Sequence, residues 1–198
     1  MPDGTQPPKS RSPERRASAA LQPLAVLPLF HDLKGRPAVV LGATDAAQWK
    51  ADLLAAAGAD VTRITQDRDW RADDLAGRAI AVADAADEDQ AARLAAAARK
   101  AGVPVNIVDR PAHCDFSFGS IVNRSPVVIG ISTAGASPVL GQAIRRRIET
   151  LLPPGIARWA EAAKTLRQRI QTLMPEAGRR RVYWRKQAER AFAELKKA

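Results

Sequence analysis

Sulfur is scarce in this chain. Of its 198 residues one is cysteine, Cys114, so no internal disulfide can form. That excludes the cross-linked scaffolds of small secreted domains and fits a reducing compartment. No apolar run approaches the length of a membrane span, which excludes a helical membrane protein. The first residues also lack the apolar stretch of a secretory signal. A cytoplasmic setting is therefore expected, with no membrane partner. Acidic residues are in short supply too: 21 Asp and Glu against 31 Lys and Arg leave a formal net charge of +10. Such an excess points to an anionic partner, whether nucleic acid, a membrane surface or a polyanionic small molecule. Hydrophobic residues make up 46% of the chain, enough for a core at this length. Much of that fraction is Ala, which favours helices and close packing.

Residues 1–23 are rich in Pro, Ser, Arg and Lys and have little to bury. They are expected to form a disordered basic tail. The pattern changes at the apolar lead-in Leu24-Ala-Val-Leu-Pro-Leu-Phe30. A strand is predicted over 36–41, ending at Gly42, and a helix over 45–57 with Gly58 as its cap. Strands follow over 60–64, 79–83 and 105–109, with a helix over 87–100 between the last two. Strand and helix alternating through short connections predict βαβ units and a parallel, doubly wound sheet. Beyond Asp109 two strands, 120–124 and 127–131, come in quick succession. Ser137 as N-cap and Pro138 at the first helical position then open a helix to Leu152. Two more helices are predicted over 156–173 and about 179–196. The fold class is α/β: a Rossmann-like parallel sheet, then a small β-containing segment and a C-terminal helical region.

Several segments carry chemistry. The turn Gly42-Ala43-Thr44-Asp45-Ala46-Ala47 follows a strand and opens a helix, the setting in which a dinucleotide pyrophosphate sits on free helix amides. It keeps one glycine where the fingerprint has three, so an ordinary βα turn is an equal reading of these residues. The acid that would bind the ribose is either Asp60, which is early, or Asp67, which is late. Arg63 between them suits a phosphorylated ribose. Asp109 falls at the C-terminal end of a parallel strand, where open α/β sheets bind ligands. A carboxylate there can take a proton from a substrate or help to hold a metal. Read alone, it is better explained as the cap of a turn before Pro111.

The loop Ile131-Ser132-Thr133-Ala134-Gly135-Ala136-Ser137-Pro138 runs into a helix N-terminus and is as readily an anion site as a plain helix cap. Asn123-Arg124-Ser125-Pro126 offers a cation and amide donors, or simply a hairpin turn. His113-Cys114-Asp115 contains metal-ligand types, but three adjacent residues rarely converge on one ion, and a plain loop is preferred. Arg145–Arg147, Arg167, Arg169, Arg179–Arg181 and Arg185-Lys186 fall on the last helices, interleaved with Trp159, Tyr183 and Trp184. A solvated helical face ranks first for them, a many-carboxylate partner second and nucleic acid third.

Some of these pieces, in this order, resemble a known family. They are Leu27-Pro-Leu-Phe30, Val39-Val-Leu-Gly42, Trp49-Lys-Ala-Asp-Leu-Leu54, Ala57-Gly-Ala59 and Asn106-Ile-Val-Asp109. They continue with Phe116, Ile121-Val-Asn-Arg-Ser-Pro126, Ile131-Ser-Thr-Ala-Gly-Ala-Ser-Pro-Val139 and Leu151-Leu-Pro153. From about Leu27 to the C-terminus the chain resembles the N-terminal module of siroheme synthase, a precorrin-2 dehydrogenase and sirohydrochlorin ferrochelatase. The resemblance implies NAD held by Gly42, Ala43, Thr44, Asp45 and Ala46, with Asp87 beside them. It implies Asp109 as the catalytic aspartate of dehydrogenation, and as the group that meets the metal in chelation, with Fe2+ as a substrate metal. Asn106, Asn123, Arg124, Ser132, Thr133 and Ser137 are the implied contacts to the tetrapyrrole, and Thr133 stands where some members carry a phosphorylatable serine. The implied organisation is an NAD-binding domain over 24–111, a dimerisation segment over 112–150 and a helical region over 151–198, paired as a homodimer. Larger members continue into a methyltransferase domain, for which this chain is expected to be too short.

The expected function is NAD-dependent oxidation of precorrin-2 to sirohydrochlorin, with ferrochelatase activity as an addition. An octacarboxylate substrate suits a chain of charge +10. Two stretches depart from the family pattern. Gly42-Ala43-Thr44 replaces consecutive glycines, and Ala85-Ala86-Asp87-Glu88 replaces a Thr-Asp-Asp type segment. They favour the alternative of a non-catalytic tetrapyrrole-binding protein on the same fold.

Overall fold

A computed structural model of the chain describes residues 22–65 and 69–195. The expected tail over 1–23 falls almost wholly outside the described residues, and Asp67 falls outside them too. Four strands, β1 (Pro37–Leu41), β2 (Asp60–Ile64), β3 (Ile80–Ala83) and β4 (Val105–Ile107), form a parallel sheet in the order β2-β1-β3-β4. β1 and β3 are unbroken apolar runs because both faces of the sheet are covered. Alternate residues serve opposite faces. Ala38, Val40, Ile80 and Val82 pack with Ala47, Ala51 and Leu54 of helix α1 (Asp45–Ala56). Val39, Leu41, Ala81, Ala83, Val105 and Ile107 pack with Ala91, Leu94, Ala95 and Ala98 of helix α2 (Glu88–Lys100). One helix on each face is the doubly wound arrangement the alternation predicts.

Local chemistry sets the ends of these elements. Thr44 caps α1, its Oγ1 accepting from the Ala47 amide at 3.2 Å, and Asp87 caps α2, accepting from the Gln90 amide at 2.7 Å. Strand β4 is shorter than the expected 105–109. The backbone turns left-handed at Asp109, φ 56°, and the Arg110 amide closes a turn on the Ile107 carbonyl at 3.3 Å. Asp is among the few non-glycine types that tolerate this conformation. The strand order reverses between β1 and β3, so the connections leaving their C-terminal ends run to opposite faces of the sheet and a crevice opens there.

Beyond the sheet, β5 (Ser120–Arg124) and β6 (Val127–Ile131) form an antiparallel hairpin, followed by α3 (Pro138–Leu151), α4 (Ile156–Leu173) and α5 (Ala177–Leu195). This part buries few side chains, among them Val122, Ile156, Ile170 and Ala191. Leu140, Ile144 and Leu151 share one face of α3 at helical spacing and stay exposed. Among the described residues no helix is long and apolar enough to cross a membrane.

Candidate active site at the sheet edge

The crevice at the strand reversal holds a cavity of about 420 Å³ lined by Thr44, Ala46, Asp84, Ala85, Val108, Asp109 and Arg110. Gly42 closes β1 with φ 120°, and a Cβ there would collide with the Asp84 carboxylate. The turn therefore needs glycine at this one position, for both its conformation and its space. Asp84 Oδ2 accepts from the Thr44 amide at 3.1 Å and from Thr44 Oγ1 at 2.7 Å. The Ala47 amide is taken by the cap, while those of Asp45 and Ala46 have no partner among the described residues. Such amides at a helix N-terminus suit an anion. Arg63 braces the turn from β2, donating to the Gly42 carbonyl at 3.2 Å and to the side chain of Gln48, while its Nε is buried with no partner among the described residues.

Asp109 also lines a second cavity, of about 450 Å³, on the α1 side of the sheet, together with Trp49, Lys50, Asn106, Arg110, Cys114, Phe116 and Phe118. Among the described residues its carboxylate has no hydrogen-bond partner, and it is exposed. Asn106 is the buried polar residue of the sheet. Its Nδ2 donates to the Phe116 carbonyl at 2.9 Å, and its Oδ1 accepts from Lys50 Nζ at 2.7 Å. Lys50 Nζ lies 5.5 Å from the centre of the Phe118 ring, which stacks edge-on with Phe116 at 5.4 Å. Burial pushes the Lys50 ammonium below its ordinary value, against the opposing fields of Cys114, Asp109 and Asp84. Arg110 lines both cavities but is held by Glu88 at 2.8 Å and by the Ala86 carbonyl. Glu88 also pairs with His113 at 2.5 Å, and the hydrogen bonds from His113 and Arg110 hold its carboxyl below the usual range.

The structure thus brings Thr44, Ala46, Asn106 and Asp109 to the two cavities, with Gly42, Ala43 and Asp45 in the adjoining turn. The remaining expected residues have other places. Asp87 caps α2 and lines neither cavity, whereas Asp84, three residues earlier, does. Asn123 accepts from the Ser125 amide and hydroxyl at 2.9 and 2.7 Å within the hairpin turn, and Arg124 ties that hairpin to the Leu152 carbonyl at 2.9 Å. Ser132 accepts from the Ala134 amide, Thr133 donates to the Ser137 carbonyl, and Ser137 caps α3 through the Leu140 amide. His113, Cys114 and Asp115 diverge. The first meets Glu88, the second the Ile107 amide at 3.2 Å, and the third Arg99 at 2.8 Å. Among the described residues no group of three or more His, Cys, Asp or Glu could hold a metal ion. The basic helices carry local pairs, Arg145 with Glu149 and Arg179 with Glu176.

Lys50, Asp84 and Arg110 are absent from the sequence expectation. Asp84 was within reach of the reasoning that found Asp109, since it follows the C-terminal end of another parallel strand. Lys50 falls beside the buried stripe Ala47, Ala51, Leu54 and so faces inward, but it reads as one more helical cation.

A parallel sheet with a switch-point crevice, a glycine turn and a capped helix N-terminus defines a Rossmann-type nucleotide-binding protein with a β-hairpin and helices appended. Three family models match along the chain: "Putative NAD(P)-binding" over residues 29–120, "Sirohaem biosynthesis protein central" over 124–151 and "Sirohaem synthase dimerisation region" over 155–198. The siroheme synthase of Ectopseudomonas mendocina is 38% identical over 174 residues, covering 80% of this chain and 38% of that protein. That of Methylococcus capsulatus is 37% identical over 187 residues, covering 85% and 40%. The solved structure of SirC, a precorrin-2 dehydrogenase, superposes with a TM-score of 0.60 at 16% identity, over 87% of this chain and 100% of that one. The chain belongs to the siroheme synthase family and corresponds to its N-terminal module. It spans under half the length of the curated relatives it matches.

Proposed function

We propose that the chain is an NAD-dependent dehydrogenase that oxidises precorrin-2 to sirohydrochlorin in siroheme biosynthesis. The observation that carries this reading is the position of Asp109, which lines both cavities at once. The crevice at the strand reversal fits a dinucleotide: it has the glycine that lets a backbone come close, and the amides of Asp45 and Ala46 at a helix N-terminus. Gly42, Ala43, Thr44, Asp45 and Ala46 would hold the diphosphate. The bound coenzyme supplies a hydride acceptor. The cavity on the α1 side, with Trp49, Phe116 and Phe118 beside polar groups, suits one edge of a flat, charged macrocycle. Dehydrogenation removes a proton as well as a hydride, and Asp109, unpartnered between the cavities, is the base that takes it. In chelation the macrocycle supplies four nitrogens to Fe2+, and the same carboxylate accepts displaced protons.

The proposal extends to assembly. The exposed stripe Leu140, Ile144 and Leu151 on α3 and the match of the dimerisation model to 155–198 support a homodimer. Its interface would run from the 112–150 segment into the helices of 151–198, with 24–111 as the coenzyme domain. Asn123, Arg124, Ser132, Thr133 and Ser137, which line neither cavity of one protomer, then belong to the substrate cleft only across that interface. A cytoplasmic setting belongs to the same reading, supported by the lone Cys114. One observation favours the rival reading, a non-catalytic tetrapyrrole binder. The Asp84 carboxylate already occupies the Thr44 amide and sets a like charge beside any diphosphate.

The test is anaerobic turnover of precorrin-2 with NAD, followed by the absorption of sirohydrochlorin. Asp109→Asn, which keeps the left-handed backbone, is expected to lower turnover by roughly 10²–10⁴-fold, the usual worth of a general base. Binding of sirohydrochlorin without turnover by the wild-type chain at any NAD concentration decides for the binder.

A further inference from the structure

The α1-side cavity contains a charge that the dehydrogenase reading leaves unexplained. Lys50 enters from α1 and is half-buried, yet among the described residues its ammonium has one hydrogen bond, to a neutral acceptor, Asn106 Oδ1 at 2.7 Å. Asn106 cannot swing away to release it, because Nδ2 of the same amide is fixed on the Phe116 carbonyl at 2.9 Å. The Phe118 ring covers another side of the ammonium at 5.5 Å. Among the described residues no carboxylate forms an ion pair with Lys50. Asp109 on the same wall is unpaired too and is the proposed base, whereas the other two charged groups of the wall are committed. Arg110 is committed to Glu88 at 2.8 Å, and Asp115 to Arg99 at 2.8 Å and to the Val105 amide at 3.1 Å. A partly desolvated cation whose contacts are an amide oxygen and an aromatic face has no counter-ion in contact, only the more distant fields of Asp109 and Asp84, and burial makes that lack costly. Its unmet need is an anion arriving from the cavity.

We propose that the Lys50 ammonium, oriented by Asn106 over the Phe118 ring, is the anchor for one carboxylate of the tetrapyrrole in the cavity of about 450 Å³. This rests on the dehydrogenase reading above and assigns it a substrate subsite. The rings of Phe116 and Phe118 give the macrocycle an apolar wall, and the ammonium fixes one peripheral acid group. That contact sets which edge of the ring faces Asp109 on the same wall. Asn106 is a positioning residue here, since it acts by holding Lys50. A charge-assisted bond formed in a half-dry cavity is among the stronger polar contacts a protein makes.

Absorption titration of the full chain with sirohydrochlorin tests the assignment, with a parallel calorimetric titration of NAD. Lys50→Met is expected to weaken sirohydrochlorin about tenfold or more, the worth of one hydrogen bond to a charged group. Lys50→Arg is expected to restore most of the loss, and NAD affinity to stay at the wild-type value in both. Equal sirohydrochlorin affinity in Lys50→Met and wild type overturns the anchor while leaving the dehydrogenase reading intact. Loss of both ligands in Lys50→Met, unrepaired by Lys50→Arg, also overturns it, in favour of a structural role for α1. Failure of the wild-type chain to bind sirohydrochlorin at all removes the dehydrogenase reading first and the anchor with it.

Discussion

Strands β1 and β3 are covered on both faces, whereas the hairpin and the last three helices leave apolar side chains in the open. In the sheet half Ala, Val and Leu interlock at full burial. In the helical half Val139, Leu151 and Leu173 are 75%, 71% and 66% exposed. The contrast shows two sources of order. The sheet closes its core within one chain, although the lead-in from Leu24 to Phe30 stays exposed; the second half has amphipathic elements whose apolar faces lack a cover, the condition a second copy would satisfy. The active-site candidates obey the same division. Gly42, Thr44, Asp84, Lys50, Asn106 and Asp109 meet within the self-sufficient half, while the residues expected on 123–137 are spent on turns and caps.

Substitutions in the two halves should therefore fail differently. Leu94→Ala, in a fully packed position of α2, is expected to cost about 2–5 kcal/mol in denaturant unfolding. A cost no larger than that of an exposed site would break the claim that this half is complete in itself. Ile144→Glu, on the open face of α3, is expected to spare the unfolding of the sheet half. It should weaken the proposed homodimer about tenfold or more in sedimentation equilibrium, because a charge would be buried without a partner. An unchanged dimer places the interface elsewhere.

The smallest effect belongs to Glu88, at the start of α2. Its folded-state carboxyl lies below the usual range because His113 and Arg110 bond its charged form. Its contribution is therefore present above the ordinary carboxylate range and is lost as pH falls through the lowered folded value. Its exposure to solvent keeps it slight. Glu88→Gln should lower the melting temperature marginally near neutrality and match wild type in acid. A difference that persists in acid would point to helix capping rather than charge.

Much of the sheet half was legible in the residues. The apolar runs at 36–41 and 79–83 and the glycines after each helix are local signals, and the observed elements follow them closely. The rule that parallel strands present ligands at their C-terminal ends made Asp109 a candidate, and the family resemblance chose that reading over a turn cap. The same rule would have found Asp84, but the resemblance drew attention to Asp87, which is occupied with the α2 cap. Lys50 was not legible, because its environment is built by Phe116 and Phe118 arriving from a distant loop. No periodicity in α1 announces them. The shorter β4 has a related cause: a left-handed Asp109 follows from the turn it must make, and an aspartate before Arg110 and Pro111 does not declare its backbone angle.

That left-handed aspartate has a consequence for descent. The residue types that sit comfortably at such an angle are Gly, Asn and Asp, so exchange of one oxygen for an amide nitrogen would silence the proposed base while leaving the backbone undisturbed. Chemistry on this scaffold can be extinguished without any trace in its architecture. Descendants with identical silhouettes would divide into working and retired forms at that single position.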